Sequence, residues 1–183
     1  MIKLFPFIFI LLWSSAFTTT KPIVDNSEPF SALAFRFLIV AIGFLIFSYL
    51  SKKEIIVSKK NITESLLTGV LFHGLYLGGV FFSISKGMPT GIAALIVTLQ
   101  PILTNILAGP FLNEQIGWKQ WLGILFGFLG SFMVLGINFA SEFPVIGLYV
   151  SVLALIAITT GTLWQKKISG SLSLSVNNAY QAI

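Results

Sequence analysis

The sequence predicts an all-α, polytopic helical membrane protein, and two observations carry that prediction. First, 56% of the residues are hydrophobic and only 9% are charged. Second, the apolar residues are gathered into six long stretches, at residues 4–20, 30–50, 65–85, 88–112, 118–137 and 145–164. Each stretch approaches the ~20 helical residues that cross a hydrocarbon core about 30 Å thick. Because backbone polar groups must be paired in lipid, repeated stretches of this kind indicate helices.

The charged residues indicate orientation in a membrane rather than a polyanionic partner. The net charge is +5, yet the lysines lie in the segments beside the apolar stretches, so no nucleic-acid partner is expected. The chain has no cysteine, one histidine and six acidic residues. Disulfides and thiolate metal sites are therefore excluded, and neither a metal centre nor another cofactor is expected. No motif typical of an enzyme is present, and we expect no enzymatic activity.

The lysines also predict which side of the membrane each segment faces. With the N-terminus in the cytoplasm and the stretches alternating in direction, the outer face keeps only Lys21 and Lys86. The inner face collects Lys3, Lys52, Lys53, Lys59, Lys60, Lys119, Lys166 and Lys167. Since positive residues concentrate on the cytoplasmic side, we expect a multi-pass protein of the cell (inner) membrane with a cytoplasmic N-terminus. The alternative is that the first stretch is a cleaved signal peptide.

A weak internal repeat appears when the chain is compared with itself at an offset of 145 residues. Ser14-Ser15-Ala16 then lies over Thr159-Thr160-Gly161, and Ala34-Phe35-Arg36 lies over Ala179-Tyr180-Gln181. Five helices separate the equivalent points, and an odd number inverts the second copy in the membrane. The interpretation is a five-helix repeat at residues 1–140 and the truncated start of a second, inverted repeat at residues 141–183. We therefore expect the chain to be the N-terminal part of a longer protein.

One block of sequence resembles a known family. The run from Phe81 through Gly87-Met88-Pro89 to Pro101, followed by Gln120-Trp121-Leu122-Gly123-Ile124, is similar to EamA-type transporters of the drug/metabolite transporter superfamily. Leu12-Trp13-Ser14-Ser15-Ala16-Phe17 resembles the first helix of that family. The resemblance implies ten helices in two inverted five-helix repeats. It also implies a secondary transporter that exports or imports small metabolites such as amino acids or related compounds by alternating access, and export is the direction we expect.

An alternative from another class is a structural or dimerising helical membrane protein that carries no flux. Gly123, Gly127 and Ser131 recur at four-residue spacing, which lets helices approach closely. Such a series packs helices within one chain or forms the face of a homodimer, and the sequence leaves both open.

Three polar side chains inside the second and third stretches are candidate substrate-binding residues. Arg36, the single arginine, lies about six residues into its stretch, where a charge is costly unless it faces a cavity or a partner. The alternative is that it extends to the outer headgroups. His73 and Tyr76 are three residues apart and share a helix face, which suits either substrate binding or packing.

Two further candidates come from the first and fourth stretches. Gln100-Pro101 lies midway along the fourth stretch, where proline removes a backbone hydrogen bond and kinks the helix. Trp13 lies near the middle of the first stretch. We expect Trp13, His73, Tyr76 and Gln100 to converge near the midplane around a substrate, with Arg36 near the outer mouth. The alternative for each is helix packing without substrate contact.

Overall fold

A computed structural model describes residues 4–112, 117–135, 143–168 and 172–183, and this part of the chain is helical with short turns and no strand. Its elements in order are α1 (Phe5–Asn26), α2 (Pro29–Leu50), α3 (Lys59–Ser85), α4 (Thr90–Leu112), α5 (Trp118–Leu135), α6 (Val145–Ile168) and α7 (Leu174–Gln181). By length and composition α1, α2, α3, α4 and α6 can cross a membrane. The all-α, polytopic prediction is confirmed. Lys3, Glu142 and the predicted boundary at residues 140–141 lie outside the described residues.

Three helices extend beyond the apolar stretches that predicted them. α1 was expected to end at residue 20 but continues to Asn26, because Lys21 pairs with Asp25 one turn later at 3.0 Å. α3 begins six residues before its stretch, after Ser58, whose Oγ accepts from the backbone N–H of Asn61. α6 continues through two lysines to Ile168, where positive charge is favourable at a helix C-terminus.

α2 begins with a strong cap. Pro29 occupies the first helical turn, and the Glu28 carboxylate accepts a hydrogen bond of 2.6 Å from the backbone N–H of Ser31. That hydrogen bond, assisted by the backbone N–H of Phe30, holds the pKa of Glu28 below its ordinary value. The start of α2 is therefore fixed by capping.

α3 changes its winding where two candidate residues lie. It is α-helical over Lys59–Gly69, π-helical over Val70–Leu77 and α-helical again over Gly78–Ser85. The wider turn, with hydrogen bonds that span five residues, was not predicted, and it carries His73 and Tyr76. The helix ends in a short turn to α4, in which Gly87 has φ +91°, a left-handed value that favours glycine.

α4 is interrupted where the sequence predicted a kink. Its first segment is Thr90–Val97 and its second is Gln100–Leu112, separated by the turn residues Thr98 and Leu99. Pro101 has no N–H to continue the hydrogen-bond ladder of the first segment. Within the interruption the Leu99 N–H donates to the Ile96 carbonyl at 3.1 Å, and the Thr98 hydroxyl donates to the Leu95 carbonyl at 2.7 Å.

The best-packed contact in the described part is between α3 and α6. A Cβ placed on Gly79 would lie 3.2 Å from the Ala154 Cβ, so these two backbones approach closely. At the same interface Ser83 Oγ donates to the Gly147 carbonyl at 2.8 Å and lies 2.7 Å from Ser151 Oγ. Small residues and interhelical hydrogen bonds are the usual means of helix association in membranes.

α7 lies against α2 and α3. Ser65 Oγ donates to Asn177 Oδ1 at 2.7 Å, and the Tyr180 hydroxyl donates to the Ile55 carbonyl at 3.0 Å. At the offset of 145 residues, Pro29 at the start of α2 corresponds to Leu174 at the start of α7.

Candidate functional site

A cavity of about 460 Å³ lies among six helices, with walls from α1, α2, α3, α4, α6 and α7. All five residues singled out in the sequence line it, namely Trp13, Arg36, His73, Tyr76 and Gln100. The structure therefore brings the candidates together around one space. That they bind a substrate stays a prediction.

Gln100 reaches the cavity from the interruption of α4. Its amide Nε2 donates to Thr162 Oγ1 on α6 at 3.1 Å and lies 3.4 Å from Thr104 Oγ1. Thr162 in turn donates to the Ile158 carbonyl of its own helix at 2.7 Å. Gln100 therefore connects the second segment of α4 to α6 at the cavity wall.

His73 and Tyr76 come from the π-helical part of α3. Tyr76 is buried, and His73 is half-buried with its ring centre 4.2 Å from that of Phe37 on α2. His73 Nδ1 has no hydrogen-bond partner. Leaving a buried polar atom unpaired costs about 1–3 kcal/mol, so a group in the cavity that paired with it would be favoured.

Arg36 and Trp13 are more exposed than the other candidates. The Arg36 guanidinium carbon lies 5.9 Å from the ring centre of Phe37, and Trp13 lies 5.5 Å, centre to centre, from the ring of Phe9. Trp13 is 45% exposed, although it lines the cavity. Both side chains are therefore free to meet a molecule in that space.

Five polar lining residues were missed in the sequence. Thr20 comes from α1, and the other four come from the second apparent repeat, namely Thr162, Gln165, Asn178 and Gln181. The internal repeat contained a signal for one of them, since the offset of 145 residues pairs Arg36 with Gln181. Gln181 is 5% exposed, and its amide Nε2 has no partner. Two residues of the lining, His73 and Gln181, thus each have a buried nitrogen atom without a hydrogen-bond partner.

A second space of about 930 Å³ lies among α2, α3 and α7. Apolar side chains form most of its wall. His73 and Gln181 line both spaces, so these two residues lie in the partition between them.

The described residues contain no cluster of three or more histidine, aspartate or glutamate side chains that could hold a metal ion. The polar groups of the cavity are amides, hydroxyls, one imidazole and one guanidinium. Such groups recognise a small molecule by hydrogen bonds and charge.

Curated proteins similar to this chain are named as transporters. It is 30% identical over 128 residues to the uncharacterized transporter YdfC of Bacillus subtilis (strain 168), covering 67% of this chain and 40% of the relative. It is 27% identical over 156 residues to an uncharacterized transporter of Archaeoglobus fulgidus, covering 82% and 53%. It is 24% identical over 165 residues to the "Probable amino-acid metabolite efflux pump" of Escherichia coli (strain K12), covering 87% and 51%.

The chain spans about half the length of the curated relatives it matches. No solved structure matches it. The family model for EamA-like transporters matches residues 2–136, and the names of family and relatives indicate a transporter rather than an enzyme. The chain has several apolar helices long enough to cross a membrane, and it belongs to the EamA-like transporter family.

Proposed function

We propose that this chain supplies the first repeat, residues 1–140, and the start of an inverted second repeat, residues 141–183, of a secondary transporter. The transporter exports small metabolites such as amino acids or related compounds by alternating access. The observation that carries the proposal is one cavity of about 460 Å³ with walls from both segments. In transporters built from inverted repeats, the substrate site lies near the midplane at the interface of the repeats.

The lining of that cavity supports the equivalence of α1 and α6. From α1, Trp13, Phe17 and Thr20 line the cavity. The residues 145 positions later also line it, and they are Ile158, Thr162 and Gln165. Equivalent positions on two helices therefore face one space, as expected for a site shared by two repeats.

Within this proposal the five candidate residues contact the substrate. Arg36 supplies the positive charge, while Gln100 and His73 supply hydrogen-bonding groups. Trp13 and Tyr76 supply flat apolar surface and one hydroxyl.

The test is flux in proteoliposomes that contain the complete transporter, with a panel of amino acids and related metabolites. Gln100→Ala and His73→Ala should each lower flux several-fold, since each removes a hydrogen bond to the substrate. Asn105→Ala is the matched control, because Asn105 lies on the same segment of α4 but is not among the lining residues. Circular dichroism checks that the variants fold. Normal flux in both Gln100→Ala and His73→Ala would refute the site.

Residues 1–183 without the remaining length of the transporter should give no flux above empty liposomes. Alternating access requires two halves that move about a shared site. Robust flux from a demonstrated monomer of residues 1–183 would refute this mechanism. Flux that appears only when residues 1–183 dimerise would support the prediction of a homodimer.

The orientation is tested by single cysteines, for which the cysteine-free chain is already a suitable background. A cysteine at Lys53 or Lys166 should be shielded from an impermeant thiol reagent in whole cells, whereas one at Asp25 should react. The reverse labelling pattern would place the N-terminus outside.

A further inference from the structure

We infer that the 460 Å³ cavity selects its substrate by a carboxylate group, which Arg36 and Gln181 bind together, while aromatic walls hold an apolar remainder. The inference rests on the proposed transport function and names the substrate class of that same site. Three features of the described residues carry it: the charge of the lining, an unpaired buried amide, and the composition of the walls.

The charge of the lining favours an anion. Arg36 is the one side chain with a permanent charge among the described lining residues, and no aspartate or glutamate is among them. The two ion pairs of the described part join Lys21 to Asp25 and Lys60 to Glu64, so neither neutralises Arg36. A guanidinium in a space of low polarity without a counter-charge attracts an anionic group.

Gln181 supplies a second, independent feature. The residue is 5% exposed and lines the cavity, and its buried amide Nε2 has no partner. An amide nitrogen is a donor only, so its missing partner is an acceptor. The Gln181 backbone lies so close to Gly69 that any Cβ there would collide with the Gln181 carbonyl, so the end of α7 packs tightly against α3. A buried donor on a residue that shares the lining with Arg36 suits an anion with two oxygen atoms.

A carboxylate fits these donors better than a phosphate group does. Arginine presents parallel N–H groups that match the two oxygens of a carboxylate. A phosphate with two negative charges is usually held by several cations, whereas the described lining contains one.

The walls indicate the rest of the molecule. Aromatic rings form half of the lining on α1 and α3, from Phe9, Trp13, Phe17, Phe72, Tyr76 and Phe81. A volume of about 460 Å³ lies within the range of sites for small organic molecules. An ammonium group would meet no carboxylate among the described lining residues. The cavity should therefore rank an aromatic monocarboxylate first, its zwitterionic amino acid second and the corresponding amine last.

The experiment measures binding to purified residues 1–183 in nanodiscs of zwitterionic lipid, by equilibrium dialysis at neutral pH. The radiolabelled probes are 3-phenylpropionate, phenylalanine and 3-phenylpropylamine, which share one ring and one chain length. 3-Phenylpropionate should bind at least about ten-fold more tightly than 3-phenylpropylamine, as expected for hydrogen bonds to a charged group. Equal affinities, or no measurable binding of any probe, would overturn the inference.

Variants assign the preference to named residues. Arg36→Gln should abolish the advantage of 3-phenylpropionate, and Arg36→Lys should retain part of it. Gln181→Met, which keeps the approximate volume but removes the donors, should weaken 3-phenylpropionate several-fold and leave 3-phenylpropylamine unchanged. Lys86→Gln is the control, because Lys86 is an exposed cation outside the cavity lining. An unchanged preference in folded Arg36→Gln would refute the inference, and the three probes on the native chain test it even if that variant does not fold.

Two further arms separate related explanations. Nanodiscs that contain phosphatidylglycerol test whether the bound anion is a lipid headgroup. Strong displacement of 3-phenylpropionate by that lipid would contradict the claim that the site takes a soluble carboxylate. Flux is a separate readout. Carboxylate-selective binding without flux in the complete transporter would leave this inference standing and refute transport. Flux of amines in preference to carboxylates would support transport and refute this inference.

Discussion

In water-soluble proteins the more apolar helix is usually the more buried one, and α2 and α3 show the reverse. α2 has the higher mean hydropathy, 2.4 against 1.6, yet only 11% of its most apolar window is buried, compared with 44% for α3. In lipid the hydrophobic effect does not drive helices together, so the most apolar helix has no reason to be inside. The helix that lies inside is the one that its neighbours can approach closely.

The side chains of the two helices explain the difference. α2 presents large apolar residues to its surroundings, among them Phe35, Leu38 and Ile39. α3 instead meets α6 through Gly79 and Ser83, which are small. α6 is buried to the same 44% as α3, which makes these two helices the centre of the described part.

The largest expected effect comes from enlarging a glycine at this centre. A Cβ on Gly161 of α6 would lie 2.8 Å from the Phe72 ring of α3. Gly161→Leu should therefore lower the free energy of unfolding by about 1–3 kcal/mol or more, as overpacking does. Equilibrium unfolding in mixed micelles with increasing dodecyl sulfate measures it.

Gly43→Leu on α2 is the matched control. A Cβ at Gly43 would meet no atom within 4 Å, and leucine is the better helix former, so this variant should be as stable as the native chain or slightly more so. If Gly43→Leu destabilises the chain as much as Gly161→Leu, the contrast between peripheral α2 and central α6 is wrong.

A smaller effect is expected from the hydroxyl pair between α3 and α6. Ser83 and Ser151 lie 2.7 Å apart, oxygen to oxygen, and both are fully buried. A double-mutant cycle of Ser83→Ala and Ser151→Ala should give a coupling energy of about 0.6 kcal/mol and at most about 1.7 kcal/mol, the mean and the maximum measured for interhelical hydrogen bonds in a membrane protein. Ser85→Ala is the control, because Ser85 donates to the Phe82 carbonyl of its own helix. Zero coupling would mean that the contact between these two hydroxyls does not stabilise the interface.

The smallest effect concerns the cap of α2. The pKa of the Glu28 carboxyl is lowered by the backbone N–H groups of Ser31 and Phe30. The stabilisation by this cap is thus complete above the pKa of an unfolded glutamate and is lost as pH falls through the lowered pKa of the folded chain. A carbon-13 NMR titration of Glu28 should give a midpoint below the ordinary glutamate value. An ordinary midpoint would show that the cap does not hold in solution.

Hydropathy located the helices but could not supply their inner geometry. The apolar stretches predicted α1 to α6, and Pro101 predicted the interruption of α4, because both signals are local. The π-helical winding of Val70–Leu77 was missed, since it depends on hydrogen bonds between backbone groups rather than on composition. The ends of α1 and α3 were missed because a charged pair and a serine cap extend each helix beyond its apolar residues.

The candidate site was predicted in part for a similar reason. Polar residues inside apolar stretches stand out, and Trp13, Arg36, His73, Tyr76 and Gln100 do line one cavity. Gln181 lies in a segment of mixed polarity where a glutamine is unremarkable by composition. Its position in the lining depends on the packing of α7 against α2 and α3, which only the folded chain shows.

The interruption at Thr98 and Leu99 has a mechanical consequence. Without a continuous hydrogen-bond ladder, bending α4 at this joint strains fewer bonds than bending it anywhere else along the span. The Gln100 amide attaches the second segment to Thr162 on α6, immediately beyond the joint. A displacement of α6 would therefore move the second segment directly. The angle between the two segments would change at the joint, and the first segment, Thr90–Val97, would be strained little.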